Sequence, residues 1–428
     1  MMAFNGNLTL VGFGFGPIQA GLFVLEAFRS GHFGRVVIGE VLPDIVRSVR
    51  EEGGKFRINI AQRDGVELVT LGPVELEDPS VPKDRERLIE AIAQASEVVT
   101  AVPSVRFYKS DAPGSIHRVL AAGLSRRGGR PAVIYAAENH NRAAEILEEA
   151  VFAEVPLPER DPVRNGTRFL NTVIGKMSAV IADPDRVSER GLHTVTSRDP
   201  RAFLVESFNR ILISSVRFPS GLPFRRGLDL FEEKGDLLPF EEAKLYGHNA
   251  AHALAAYLAA QRDLLRLEQI TKVPGLVDFV RAAFLEEAGE ALRRKWKGVD
   301  PLFTPAGFRG HVDDLLERML NPYLGDLVER VARDPERKLG WDDRLIGTIR
   351  LSMTRGVRPW RFAVGAAAAL AYYKPEVLED TAQATPLLEE IWGSSCADPE
   401  VKAQVLRIVN EALSPLREWR AGGALPSG

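Results

Sequence analysis

Three residues in one short stretch carry the chemistry most readily read from this chain: Lys244, Asn249 and His252, arranged Lys-x4-Asn-x2-His. The run that follows, Ala253-Leu-Ala-Ala-Tyr-Leu-Ala-Ala, is strongly helix-forming, so the three residues read as the start of a helix. On an α-helix Lys244, His252 and Asn249 fall at roughly 0°, 80° and 140° around the axis, one broad face with the imidazole in the middle. An amine that can lose its proton, an amide that donates hydrogen bonds and an imidazole on that face make a proton-handling site. A free lysine titrates near ~10.4, so burial or nearby positive charge must lower it before it serves as a base at neutral pH. Glu241, three residues earlier, lies on nearly the same face and either relays the proton or pairs with the lysine; pairing is the commoner fate. His248 points roughly 100° away from Asn249 on a helix and reads as a packing or surface residue.

The N-terminal region offers a place for a dinucleotide. Val11-Gly12-Phe13-Gly14-Phe15-Gly16-Pro17 lies between a strand-like run, 8–12, and a helix-like run, 17–30. Glycines in such a turn let the backbone approach a pyrophosphate at a helix N-terminus. The spacing departs from G-x-G-x-x-G because Pro17 stands where the third glycine belongs. Glu40 ends the second strand, where a carboxylate accepts from ribose hydroxyls and repels a 2′-phosphate, which favours NAD over NADP; Arg47 keeps the alternative open. Val102, at the end of the strand at 97–102, joins the expected cofactor contacts with Gly12, Gly14, Phe15, Gly16 and Glu40. Asn139 follows the strand at 131–137, in reach of the nicotinamide or the substrate, although an asparagine there also suits a helix N-cap.

The elements that must position these groups fall into two blocks. Strand-like and helix-like segments alternate through the first half, with further strands at 202–206 and 211–216, which predicts a mostly parallel sheet with helices on both faces. From about residue 241 the pattern is helical, with amphipathic segments at 276–295, 308–319 and 401–421 and an Ala-rich run, 362–373, too short to span a bilayer. The expected layout is an α/β, Rossmann-type dinucleotide-binding domain, 1–205, followed by an all-helical substrate and catalytic domain, 206–428, ending in a frayed tail from Ala421. A net charge of −3 argues against a nucleic-acid partner, and one cysteine, Cys396, excludes an intrachain disulfide and a thiolate metal cage. Cys396 itself reads as an inert core residue. No metal is expected, since His32, His117, His140, His193 and His311 lack ligand spacing and no cysteine pair supports a site. No secretory leader is read at the N-terminus, and the expected setting is the cytoplasm.

Several stretches together resemble one family. The glycine turn, Ala136-Ala-Glu-Asn139, Phe169-Leu-Asn-Thr-Val-Ile-Gly-Lys-Met177, Lys244-Leu-Tyr-Gly-His-Asn-Ala-Ala-His252, and Asn321-Pro-Tyr-Leu-Gly-Asp-Leu-Val-Glu-Arg-Val331 with Arg337-Lys-Leu-Gly-Trp-Asp-Asp-Arg-Leu345 are similar to the mannitol 1-phosphate 5-dehydrogenases among the long-chain polyol dehydrogenases. The resemblance implies NAD as cofactor, no metal, Lys244 as general base, Asn139 and Asn249 on the alcohol oxygen, and His252 orienting the substrate hydroxyl. It implies interconversion of mannitol 1-phosphate and fructose 6-phosphate. The alternatives are a related polyol or uronate oxidoreductase without the phosphate, or an inactive NAD(H)-binding sensor. The family often has Asp-Arg where this chain has Gly175-Lys176, so Asn171 and Lys176 become the nearby polar candidates. Arg330, Lys338 and Arg344, with Arg337 beside them, are the cations available for a phosphorylated sugar alcohol or ketose. A monomer or homodimer acting on a small molecule, with no membrane partner, completes the expectation.

Overall fold

The computed structural model describes residues 6–219, 224–395 and 398–426; Cys396 lies outside them. Two compact units divide the chain, Met1–Leu237 and Leu238–Gly428. In chain order the strands of the first unit are β1 (Leu8–Phe13), β2 (Phe33–Gly39), β3 (Phe56–Ala61), β4 (Val66–Leu71), β5 (Glu75–Glu77), β6 (Glu97–Thr100), β7 (Ala132–Ala136), β8 (Thr167–Ile174), β9 (Ser178–Ile181), β10 (Ala202–Glu206), β11 (Ile211–Ser214) and β12 (Phe231–Lys234). Eight of them form one sheet in the order β12-β11-β8-β7-β6-β1-β2-β5. Its six strands from β8 to β5 all pair in parallel. Counted along the chain, these six follow the 3-2-1-4-5-6 order of dinucleotide-binding sheets.

Alternation along the parallel strands explains why both faces are covered. Leu10, Val36, Ile38, Val99, Val133 and Tyr135 enter one apolar cluster, while their neighbours Val11, Val37, Val98 and Ile134 enter a second on the opposite face. Helices Pro82–Gln94, Ile116–Ser125 and Ala143–Glu154 contribute Leu88, Val119 and Leu147 to that second cluster. A period-2 strand with apolar residues at both parities is stable only between two layers.

A second, four-stranded sheet, β4-β3-β10-β9, was not expected from the sequence. Its central pairing, β10 with β3, joins residues far apart in the chain, so no local pattern announces it. β11 then pairs antiparallel with β8 and parallel with β12, which carries the first unit on to Leu237, past the boundary at 205/206 read from composition.

Glu97 starts β6 and is fully buried; it accepts from Gly227 N–H at 2.5 Å and from the Tyr135 hydroxyl at 2.9 Å. Burial pushes its carboxyl up to about 7. The folded state therefore favours the neutral acid. Its contribution to stability is complete below the unfolded value near ~4.3 and is lost as pH rises through about 7. The loss is on the order of 3 kcal/mol. Glu97→Gln should flatten the fall in melting temperature between about pH 5 and pH 8; an unchanged slope would assign that fall to other groups.

The second unit is helical, its longest elements being Asn249–Ala260, Pro305–Met319, Trp360–Tyr373 and Pro399–Arg420. The segment expected as one helix at 276–295 forms as expected but contains a π-helical turn, Ala283–Ala288. Glu287 in that turn is buried and caps Trp360–Tyr373 by accepting from Arg361 and Phe362 N–H at 2.9 and 3.1 Å. The tail is held rather than frayed as far as it is described: Trp360 Nε1 donates to Pro426 O at 3.1 Å. Among the described residues no helix is long and apolar enough to cross a membrane.

Candidate active site

Lys244 does not stand on an α-helix. It belongs to a π-helical turn, Ala243–His248, between Leu238–Glu242 and Asn249–Ala260. The Asn249 N–H donates to Lys244 O, an i→i+5 bond, so Asn249 sits about one turn above Lys244 rather than 140° around from it. His252, three α-helical residues further, lies about 60° to the other side of Asn249. The wide turn thus draws the three groups onto a narrower face than the expected α-helix gives. π-helical turns of this kind recur at functional sites because the extra residue re-aims side chains without ending the helix.

The electrostatics of this face suit a base. Burial pushes Lys244 down to about 8, the Arg344 guanidinium adds to the shift, and Glu241 opposes it. Arg344 is mostly enclosed, and its Nε donates to Asp343 Oδ1 at 2.8 Å. His248 is buried, and that burial, together with His252, Arg318, His311 and Lys244, holds it well below its ordinary value. It packs beneath the site as a neutral ring. His252 Nε2 stands 3.1 Å from Asp326 Oδ2. Burial would raise the Asp326 carboxyl, but His252 and Arg330 outweigh it and hold it below the usual range. Asp326 was missed in the sequence, where its only local signal is the Asp-x3-Arg spacing to Arg330.

Lys176, Lys338, Arg330 and Arg337, four of the five cations considered for the substrate, are engaged elsewhere. Lys176 is buried, and its ammonium donates to Glu206 O, Phe208 O and Asn209 Oδ1, one acceptor for each of its three protons. It ties the end of β8 to the loop after β10, which corrects its assignment to substrate. Lys338 is likewise buried, donating to Val331 O at 2.6 Å and to Arg333 O, with its nitrogen 5.8 Å from the centre of the Tyr257 ring. Burial, with Arg344 and Arg337 adding, pushes it down to about 7. Arg330 turns its Nε and one Nη to Asp326 Oδ1, and Arg337 pairs with Asp343 at 3.0 Å. Arg344 alone of this group acts on Lys244. Asn171 is spent on the helix at Ala143–Glu154, accepting from Ala144 N–H at 2.9 Å and donating to Glu145 at 2.8 Å.

In the first unit the glycine turn has the form a dinucleotide needs. Gly14 has φ +83°, and its N–H donates to Gly39 O at 2.9 Å; a side chain there would meet Ala101 O at 2.8 Å. Gly12 is pressed against the buried Gln19 amide, 2.5 Å from where its Cβ would stand. Around Gly16 nothing lies within 4 Å of a Cβ position, so its backbone is approachable. The helical turn opens at Pro17. This open cradle at a helix start fits a pyrophosphate. Phe15 departs from expectation: its ring is buried against Phe56 and Phe203, and its N–H donates to Glu40 Oε2 at 2.6 Å. It is a core residue rather than a cofactor contact.

Glu40 also accepts from Val41 and Leu42 N–H at 2.8 and 2.9 Å. Glu40 is buried, and its carboxylate braces the turn from below through these three backbone N–H groups. Asn139 is exposed and is not a cap, since the following helix takes Arg142 as its N-cap. Its neighbour Glu138, which the sequence did not single out, is buried and accepts from Thr100 Oγ1 and Val102 N–H, both at 2.9 Å, and from the Tyr108 hydroxyl. Burial raises the Glu138 carboxyl. That knot fixes the ends of β6 and β7, and with them Val102 and Asn139. Among the described residues no group of three or more His, Cys, Asp or Glu side chains could hold a metal ion.

A dinucleotide-type α/β unit and a helical unit carrying a half-buried lysine define a class of two-unit dehydrogenase architecture. Known structures share it over almost the whole chain. The mannitol 2-dehydrogenase of Pseudomonas fluorescens, in ternary complex with NAD and D-mannitol, covers 98% of this chain and 95% of its own at TM-score 0.71 and 15% identity. A substrate-free D-sorbitol dehydrogenase covers 99% and 96% at TM-score 0.73 and 13% identity. These likenesses concern the fold. The mannitol dehydrogenase C-terminal domain family matches residues 236–416. Mannitol-1-phosphate 5-dehydrogenase of Bacillus licheniformis is 30% identical over 364 residues, 84% of this chain and 86% of its own. That of Geobacillus thermodenitrificans is 32% identical over 344 residues, 79% and 80%. The chain belongs to the mannitol dehydrogenase family, with mannitol-1-phosphate 5-dehydrogenases as its relatives.

Proposed function

We propose that the protein interconverts mannitol 1-phosphate and fructose 6-phosphate by hydride transfer, with NAD as its cofactor and Lys244 as general acid and base. The observation that carries the reading is Lys244 itself: burial and Arg344 push it down to about 8, on a π-helical turn whose Lys244 O accepts from the Asn249 N–H. In the direction of oxidation the neutral Lys244 amine takes the proton of the substrate hydroxyl. The carbon–hydrogen bond breaks with its electron pair, the carbon–oxygen bond becomes a carbonyl, and Lys244 is left as an ammonium. NAD, held by the glycine turn and Glu40, supplies the hydride acceptor. Asn249 and Asn139 donate to the oxygen as negative charge develops there, without competing for the proton. His252, steadied by Asp326, orients the hydroxyl, and Glu241 passes the proton of Lys244 to solvent. Arg344 holds the phosphate, because it borders Lys244 and presents a planar fork suited to that anion.

The natural form on this reading is a cytoplasmic monomer or homodimer acting on a small molecule, with no nucleic-acid or membrane partner. A panel of phosphorylated and free hexitols and ketoses, followed by NADH absorbance, tests it. Turnover is expected with mannitol 1-phosphate and fructose 6-phosphate. Turnover confined to free polyols would remove the phosphate from the assignment. NADH binding without turnover on any sugar would make the chain a sensor.

A further inference from the structure

One hydroxyl touches two carbonyls, one of them in the turn that carries Lys244. Thr348, in helix Ile346–Thr354, is fully buried, with Oγ1 2.6 Å from Arg344 O and 3.0 Å from Tyr246 O. Arg344 O is the usual i−4 partner of a helical threonine. Tyr246 is not a local partner at all: it belongs to the π-helical turn that carries Lys244. The single hydroxyl proton is shared between the two oxygens. Glycines permit the close approach on both sides of that turn. A Cβ at Gly347 would stand 2.5 Å from Tyr246 Cε1, and a Cβ at Gly247 would stand 2.8 Å from Phe284 Cε2.

We propose that Thr348 is a positioning residue whose hydroxyl ties the π-helical turn to the Arg344 segment and so sets the separation of Lys244 from Arg344. The proposal rests on the role given to Lys244 above. The charged and titratable groups that face Lys244 are Arg344 from that segment, Glu241 from the preceding helix and His248 from the same turn. Only Arg344 reaches Lys244 across the Thr348 contact, so it is the neighbour whose distance the hydroxyl controls. Valine in place of threonine keeps the volume and removes both bonds. The turn then relaxes from Arg344, and Lys244 titrates closer to an ordinary lysine.

The test measures Lys244 directly, by the pH dependence of its acylation in the intact protein read by mass spectrometry, alongside melting temperature and the pH profile of kcat. Thr348→Val is expected to move the Lys244 midpoint upward by about one pH unit and to cut oxidation near neutral pH by roughly tenfold. Thr348→Ser, which keeps the hydroxyl, is expected to restore both. If the valine variant does not fold, Thr348→Cys, with a weaker donor, makes the same comparison. An unmoved midpoint in the valine or cysteine variant, or a serine variant as impaired as valine, overturns the proposal. A moved midpoint in a protein that turns over no sugar would instead refute the proposed reaction and leave the positioning role standing.

Discussion

Lys244→Ala should lower kcat/KM by about 10²–10⁴-fold while leaving NADH binding intact, since the change removes a general base and the expected NADH contacts lie elsewhere, on the glycine turn. The pH profile makes the expectation sharper. Lys244 is pushed down to about 8, so oxidation, which needs the free amine, should rise with pH through that value and then level off. Reduction, which needs the ammonium, should fall over the same range. Both limbs should vanish in the alanine variant, and added primary amines should return part of the rate. A variant that keeps wild-type turnover and the same pH limb would remove Lys244 from the mechanism.

Arg344→Leu should act twice. Loss of a charge-assisted contact to the phosphate should cost about 1.5–3 kcal/mol, about 10- to 150-fold in kcat/KM, seen mainly in KM. Loss of the positive charge beside Lys244 should also move the limb of the oxidation profile to higher pH, because Arg344 is one of the two causes holding the lysine down. Arg344→Lys separates the two effects: it keeps the charge and so the limb, but lacks the planar fork and so recovers KM only in part. Kinetics with phosphorylated and free substrates across pH 6–10, roughly, would show both. A KM that rises equally for free hexitol would mean that Arg344 does not hold the phosphate.

The first unit was legible where its signals are local. Strands with apolar residues at both parities, a glycine turn before a helix and regular alternation are written in consecutive residues, and β1, β2, β6 and β7 lie close to where the sequence put them. The β9–β10 pair and its join to β3 depend on partners far along the chain, so 178–206 gave no sheet order in advance. In the site, residue types were readable and their surroundings were not. A lysine beside a substrate and one capped by carbonyls are alike in sequence, which is why Lys176 and Lys338 looked like ligands for phosphate. The helical wheel failed at Lys244 for a related reason: the turn's neighbours Phe284, Gly347 and Thr348 come from far along the chain, and helix propensity does not encode a π-helical turn.

The antiparallel seam between β8 and β11 bears on how the protein could be divided. A dinucleotide-binding fragment cut after Val205, at the boundary expected from the sequence, would strip β11 and β12 from the sheet. It would leave β8 with a row of unpaired amides along Thr172, Val173 and Ile174, a sticky margin on which copies could stack. A cut after Leu237 keeps that margin covered. For this chain, solubility of an isolated half depends on some thirty residues that lie beyond the expected boundary and serve as hem.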